Sequence, residues 1–417
     1  MIIAFGGCYM KSRELLQGEV LNLAAPTESE AISVSHEEIA AKYASGEIRI
    51  VTEQARTQLP ELPSIIESGR YRLQPEYQRR RRWSAGKQSR LIESFIMNVP
   101  VPPVFLYEYE YAKYEVMDGL QRLSTLAGFY NDELELTELE YWKELEGMTY
   151  SSLPTQLRQG IDRRYLSSIV LLYETASNDE QAQRLKELVF ERINSGGVSL
   201  SHQESRNALS RGPLNSRLAD LARTPSFCQA WGIPEPDEAE LSTGDVRDDV
   251  LDDARYQSME DIEMVLRFMA HRQRTAVGAL RSTRVFLDRF WREANTNFSE
   301  DLVDQLGEVF VKTINLAYDV LGERAFYIRR DRKGSRIWVP RPTLLAYDCV
   351  MSAFSQHLDE AARLRELKDT VILRLEELYD EHASDFDGRR TDPRDVQRRD
   401  ELISAMLADV VASHAGR

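Results

Sequence analysis

The sequence predicts an α+β protein, with an α/β unit in its N-terminal half and a mostly α-helical region after it. Three observations predict this. Between residues 47 and 130 short apolar runs with strand character alternate with helical ones. Two of those strands and a helix meet at Asp118-Gly119, where an alternating segment gives way to apolar residues at helical spacing. From Met259 onward the apolar residues recur at helical spacing almost throughout. The boundaries that follow are an N-terminal extension over 1–45, an α/β domain over 46–232 and a helical domain over 233–417.

In chain order, residues 1–34 carry no clear pattern. Ser35-His36-Glu37-Glu38 reads as a capping box opening a short helix to about Tyr43. Glu47–Val51 reads as a strand, Leu62, Ile65 and Ile66 as a short helix ending near Gly69, and Tyr71–Leu73 as another strand. Ser84 is placed to cap a helix through Leu91, Ile92, Phe95 and Ile96, which Pro100, Pro102 and Pro103 stop. Val104–Tyr107 and Tyr111–Met117 read as a hairpin leading into the Asp118 corner. Residues 131–165 form an excursion rich in Glu, Trp and Tyr, and Ser168–Tyr173 is a buried strand. A helix from about Asp179 to Ile193 ends at Asn194-Ser195-Gly196-Gly197, a strong stop. In the C-terminal half the pattern gives apolar stripes at Val265, Leu266, Phe268 and Met269 and at Val285, Phe286, Phe290 and Trp291. Further helices fall over 300–321, 342–358, 360–381 and 396–412.

Composition narrows the function classes. The chain has 417 residues, 42% of them hydrophobic and 29% charged, with a net charge of −15. That charge argues against a generally basic nucleic-acid binder, though it leaves room for a local basic patch. No run of about 18 apolar residues exists, so no transmembrane helix is expected. Cys8, Cys228 and Cys349 are few and widely spaced, which suggests reduced thiols in a cytoplasmic protein rather than a disulfide framework.

The Asp118 corner is the first candidate site. A helix beginning after Gly119 presents unpaired N–H groups and the positive end of its dipole, which suits an anionic phosphate. Gly119 lets a ligand approach the backbone, and Asp118, Gln121 and Arg122 supply polar side chains beside it. An ordinary turn with a buried Asp–Arg pair would give the same sequence. The run Arg79-Arg80-Arg81-Arg82 lies at the start of another helix, where cations are disfavoured unless an anion is present.

Other charged segments are less specific. Residues 235–263 hold twelve Asp/Glu against two Arg. The Asp248-Asp249 and Asp252-Asp253 pairs suit either a metal cluster or an exposed helix face. Arg329–Arg336 and Arg389–Arg394 have loop composition and suit phosphate contacts or plain solvation.

An ordered series of motifs then carries a family resemblance. Pro75-x-Tyr77-Gln78-Arg79 before a Trp is followed by Leu91-Ile92-Glu93-Ser94 and Pro100-x-Pro102-Pro103. Asp118-Gly119-Leu120-Gln121-Arg122 comes next, and Phe190-x-Arg192-Ile193-Asn194-x-Gly196-Gly197-x-x-Leu200 closes the series. Over about residues 50–270 the chain resembles the GmrSD-type restriction-endonuclease N-terminal domain family. That family is similar in fold to ParB/sulfiredoxin-like domains, so the resemblance implies a ParB/sulfiredoxin-like N-terminal domain here. It also implies nucleotide binding, often with hydrolysis, in bacterial anti-phage defence, where related domains sense DNA modification or gate a nuclease.

Carried across, the resemblance implies catalytic roles for Asp118 and Gln121. It implies nucleotide binding by Gln78, Arg79, Gly119, Arg122, Asn194, Gly196 and Gly197, and at a phosphate on this helix start Ser124 or Thr125 is placed to add a hydroxyl. Arg80, Arg81 and Arg82 would meet phosphates of nucleotide or nucleic acid. Asp118 would hold a divalent cation, Mg2+, beside an NTP. Two departures qualify this. Leu120 replaces the first Gln of the family's Asp-Gly-Gln-Gln-Arg signature and can neither donate nor accept. The six histidines include no pair closer than 25 residues, so no His-Asn-His nuclease spacing is present, and a separate nuclease or effector subunit is expected.

The leading expectation is therefore an NTP-dependent defence component acting on or near DNA, with homo-oligomerisation open. A non-enzymatic sensor or adaptor for nucleic acid or a phage protein is the alternative. A metal-dependent nicking nuclease using Asp118 and the acidic 245–253 segment is a third.

Overall fold

The computed structural model describes residues 15–21, 52–73, 83–172, 212–243, 246–273, 283–332, 334–388 and 392–414. It also describes eight further positions: Ala182, Leu185, Lys186, Leu188, Val189, Arg192, Gln203 and Arg206. The chain divides into two compact units. One runs from Glu30 to Leu209, and the other combines Met1–Ser29 with Ser210–Arg417. The Glu30–Leu209 unit carries a five-stranded mixed sheet, and the other is mostly helical, so the α+β architecture holds.

The sheet is built from β1 (Thr52–Gln58), β2 (Tyr71–Arg72), β3 (Val104–Glu110), β4 (Lys113–Asp118) and β5 (Tyr165–Leu171), in the order β1-β5-β3-β4-β2. β3 and β4 form the expected antiparallel hairpin, while β2 lies parallel to β4 and β5 parallel to β3. β4 lies inside the sheet, and Glu115, Val116 and Met117 are all buried. The edge strand β1 was not read from the sequence. Its sequence, Thr-Glu-Gln-Ala-Arg-Thr-Gln, is almost wholly exposed, so no apolar alternation announces it, and backbone pairing to β5 makes it a strand. The strand expected at Glu47–Val51 lies outside the described residues, as do the capping box at Ser35 and the turn at Asn194.

Helices pack on this sheet. α1 (Leu62–Glu67) ends at Gly69, whose φ is +72°. α2 (Ala85–Ile96) is capped as expected, the Ser84 hydroxyl accepting from the Lys87 N–H at 3.3 Å. α3 (Leu120–Tyr130) buries Leu123, Leu126 and Phe129 completely. The excursion 131–165 contains a helix that its sequence did not announce, α4 (Thr155–Asp162). The excursion is held to α2 by polar groups. Glu93, buried, accepts from the N–H groups of Tyr141 and Trp142 at 2.7 and 2.8 Å, and Ser89 accepts from that of Thr137 at 2.9 Å. The described positions from Ala182 to Arg192 are helical, as the pattern predicts.

The helical unit contains α5 (Pro213–Leu221), α6 (Pro225–Trp231), α7 (Glu238–Thr243), α8 (Asp248–Leu251), α9 (Ala254–Gln257), α10 (Glu260–His271), α11 (Thr283–Asn297) and α12 (Glu300–Leu321). α13 (Leu344–Gln356), α14 (Ala361–Glu366), α15 (Lys368–Glu381) and α16 (Pro393–Ser413) complete it. The fully buried α12 residues Leu306, Phe310 and Ile314 help form its core, which includes an aromatic cluster of Phe227, Phe310, Phe326 and Tyr347. Segment 15–21 docks here through Glu19, whose buried carboxylate receives Arg272 at 2.7 and 2.9 Å. Val285, expected in an apolar stripe, is half exposed, because Phe286, Phe290 and Trp291 alone of that stripe face inward. Arg329–Arg336, expected as a loop, is a β-hairpin of β6 (Arg329–Arg332) and β7 (Ser335–Trp338), since cross-strand pairing overrides its polar composition.

Candidate functional site: the Asp118 corner

β4 runs into α3 through Gly119 alone, and the backbone there requires glycine. Its φ is +96°, and a Cβ would stand 2.4 Å from Val104 Cγ1 and 2.8 Å from Arg122 Nη2. The corner leaves Asp118 half exposed at the end of the strand and starts the helix at Leu120. Asp118 and Arg122, one helical turn apart, face each other. Arg122 Nη2 donates to Asp118 Oδ2 at 2.6 Å and to the Pro103 carbonyl at 3.4 Å. Arg122 Nε is buried without a partner. The pair foreseen as the plain reading of the sequence is therefore present, with the carboxylate, at 43% exposure, still accessible to solvent.

Gln121 faces another neighbour. Its Oε1 accepts from the Trp83 N–H at 3.2 Å, which fixes the orientation of the amide and ties the residue that follows Arg82 to the start of α3. Trp83 itself packs against the domain core, with Lys87 Nζ 4.7 Å from its ring centroid. The Ser124 hydroxyl turns back to the Gln121 carbonyl at 3.2 Å, whereas Thr125 Oγ1 is buried without a partner. Leu120 is half buried against the same core.

The structure thus brings Asp118, Gly119, Gln121, Arg122 and Ser124 together, with Trp83 beside them. Gln78, Arg79, Arg80, Arg81, Arg82, Asn194, Gly196 and Gly197 lie outside the described residues. One pair escaped the sequence reading. Glu115, deep in β4, receives Lys186 Nζ at 2.6 Å, both side chains being about one-tenth exposed. A charge flanked by Tyr114, Val116 and Met117 was the available signal, since a buried carboxylate needs a partner.

Among the described residues no three His, Cys, Asp or Glu side chains gather as a metal site. Several described carboxylates of the acidic 235–263 segment are used otherwise. Asp253 caps α9, and Asp249 makes two 3.0 Å bonds to Arg247, whose guanidinium holds the Asp249 carboxyl below the usual range. Asp118 alone suits Mg2+ only in the mode where one carboxylate, water and substrate phosphates share the ion. Cys228 and Cys349 are buried free thiols, and burial pushes the Cys228 thiol up to about 12. No described helix is long and apolar enough to cross a membrane.

No curated protein and no solved structure matches the chain. A family model does: residues 62–210 match the GmrSD restriction endonuclease, N-terminal domain. The matched span runs from α1 to the end of the sheet-bearing unit and includes the Asp118 corner. Over residues 62–210 the chain is thus similar to the GmrSD restriction-endonuclease N-terminal domain, the family its motif series resembles, and this similarity points to restriction-type defence.

Proposed function

We propose that the Asp118 corner binds a nucleoside triphosphate and gates an anti-phage restriction system that acts on or senses DNA in the bacterial cytoplasm. The carrying observation is the Asp118–Arg122 pair, set at a helix start by a glycine that no other residue replaces without strain. Exchange of one anion for another is the chemistry involved. A phosphate arriving at the first turn of α3 takes over Arg122 as its counter-ion. Asp118, so released, would be the carboxylate that holds Mg2+, an ion that would neutralise the phosphate charge. The Arg79–Arg82 run and the Asn194-Ser195-Gly196-Gly197 sequence are assigned the remainder of the nucleotide. DNA cleavage is assigned to a separate nuclease or effector subunit.

A second reading, binding without turnover as a sensor or adaptor, has its own support. Gln121 Oε1, the atom that would accept a hydrogen bond from an attacking water and so orient it, already accepts from Trp83, and Leu120 contributes only packing. Calorimetric titration of the full chain with ATP and with GTP, with and without Mg2+, tests the proposal. Saturable binding that Arg122→Ala abolishes supports it, and no heat for any triphosphate at millimolar concentration overturns it. Phosphate release above background decides for turnover against the sensor reading.

A further inference from the structure

The basic stretch of the helical unit has no part in the nucleotide reading. Arg329-Arg330-Asp331-Arg332-Lys333-Gly334-Ser335-Arg336 places five cations against one acid in a chain of net charge −15. It folds as a two-stranded antiparallel ribbon, with Arg329 opposite Trp338, Arg330 opposite Ile337 and Arg332 opposite Ser335. We propose that this ribbon binds duplex DNA, presenting Arg330 and Arg336 to the phosphates and the major groove.

The base of the ribbon is fixed. Arg329 clamps Asp380 on α15 with two bonds of 3.0 Å and lies 3.5 Å from Glu376. Trp338 Nε1 donates to Glu376 at 3.1 Å, and its ring meets Tyr379 edge-on at 5.9 Å. The acids nearest the base are thus engaged by Arg329 and Trp338. Asp331 is engaged at the tip, where its Oδ1 accepts from the Gly334 N–H at 3.0 Å. Gly334, at φ +82°, makes the tight turn.

Other cations are presented outward. Arg330, Arg336 and Arg341 are exposed, and so are Arg394 and Arg398 on α16. Arg330 Nη2 donates to the Asp387 carbonyl at 3.2 Å, which sets the ribbon beside Asp387, two residues ahead of the second basic segment in the sequence. A ribbon of four residues a side reaches about 13 Å, and the major groove, about 12 Å wide, admits a two-stranded ribbon of this kind. Arginine offers a bidentate fork both to phosphate and to the guanine edge. Because the whole chain would be repelled by DNA, a rigid local cationic projection is the arrangement that allows contact.

The test is fluorescence anisotropy of the full chain with a labelled duplex over a range of salt concentrations, with Arg330→Ala/Arg336→Ala as the variant. Wild type is expected to bind, with affinity falling steeply as salt rises. The variant should bind at least about tenfold more weakly, and its salt slope should be shallower by about two, one for each phosphate that is no longer neutralised. Both residues are exposed, so the melting temperature should hold, and the nucleotide titration should be unchanged. The exposed control Arg374→Ala should bind as wild type. Unchanged affinity and slope in the variant overturn the proposal, as does absence of wild-type binding up to about 100 µM at low salt, the weak end of non-specific affinity. Equal binding of single-stranded DNA with the same arginine dependence overturns the duplex assignment.

Discussion

Arg122 and Asp118 meet at 2.6 Å across one turn, yet the guanidinium is 13% exposed and the carboxylate 43%. That asymmetry decides what each residue contributes. Removing Asp118 strands a mostly buried cation whose other bond, to Pro103, is a long 3.4 Å. Asp118→Ala should therefore destabilise by about 1–3 kcal/mol, the cost of unsatisfied buried donors. Asp118→Asn, which keeps an acceptor, should cost less. Urea denaturation checks both. In the titration, Asp118→Ala should lose the Mg2+-dependent part of triphosphate affinity, and Arg122→Lys should fail to restore what Arg122→Ala loses, because lysine lacks the fork.

Gly119→Ala is expected to be the most damaging small change at the corner. A positive φ costs a non-glycine residue about 1–2 kcal/mol. The new methyl would also meet the buried Val104 side chain at 2.4 Å. Overpacking of that kind adds about 1–3 kcal/mol. A combined loss of about 2–5 kcal/mol in urea unfolding follows from these two terms.

The corner was legible in the sequence because each part of it is local. Apolar alternation marks β4, Gly119 marks the turn, and spacing marks α3. Ser84 and Gly69 were readable as helix punctuation for the same reason, and α12 occupies the span its periodicity gives. What was not legible depends on distant partners. β1 is a strand because β5 pairs with it, and the excursion is ordered by Glu93 and Ser89 on α2. The basic stretch at Arg329 is a ribbon because Asp380 and Glu376 hold its base. Gln121 was assigned to chemistry from its motif alone. Its bond to Trp83, 38 positions away, is a tertiary fact that spacing does not encode.

Leu120→Gln restores the polar residue of the family signature at the first helical position. Leu120 packs half buried against the core, so the exchange should cost about 1 kcal/mol, a fraction of full burial of a leucine. If the site binds a triphosphate and Leu120 is what weakens turnover, phosphate release should rise above the wild-type rate while affinity stays within a few-fold. A malachite-green assay measures it. No rise places the limit at Gln121, whose acceptor is already engaged.

Lys186→Met tests the buried pair beneath the corner. Glu115 would be left charged in the middle of β4, and breaking a buried ion pair from one side costs about 3–5 kcal/mol. The loss should appear as a lower urea midpoint.

Tyr130, at the far end of α3, predicts an alkaline limit to stability. Its hydroxyl donates to Asp162 Oδ1 at 3.1 Å, and Tyr150 donates to the same carboxylate. Burial first, and the Asp162 charge second, push the Tyr130 hydroxyl far above its ordinary value of 10. A raised folded value means that the stabilisation is complete below pH 10 and is lost as pH rises above it. Over that range the unfolded tyrosine ionises while the folded one keeps its proton. Stability should therefore be flat in this respect from pH 7 to 9 and then fall by up to about 1.4 kcal/mol per pH unit for this group. Tyr150, raised by burial and by the same Asp162 carboxylate, adds to the fall. Tyr130→Phe should cost about 1–3 kcal/mol at pH 7, through loss of a hydrogen bond to a charged acceptor, and should be less sensitive to alkali than wild type. Urea midpoints at pH 7, 9, 10 and 11 measure both effects. Parallel wild-type and Tyr130→Phe curves above pH 10 would mean that this hydroxyl is not the group responsible.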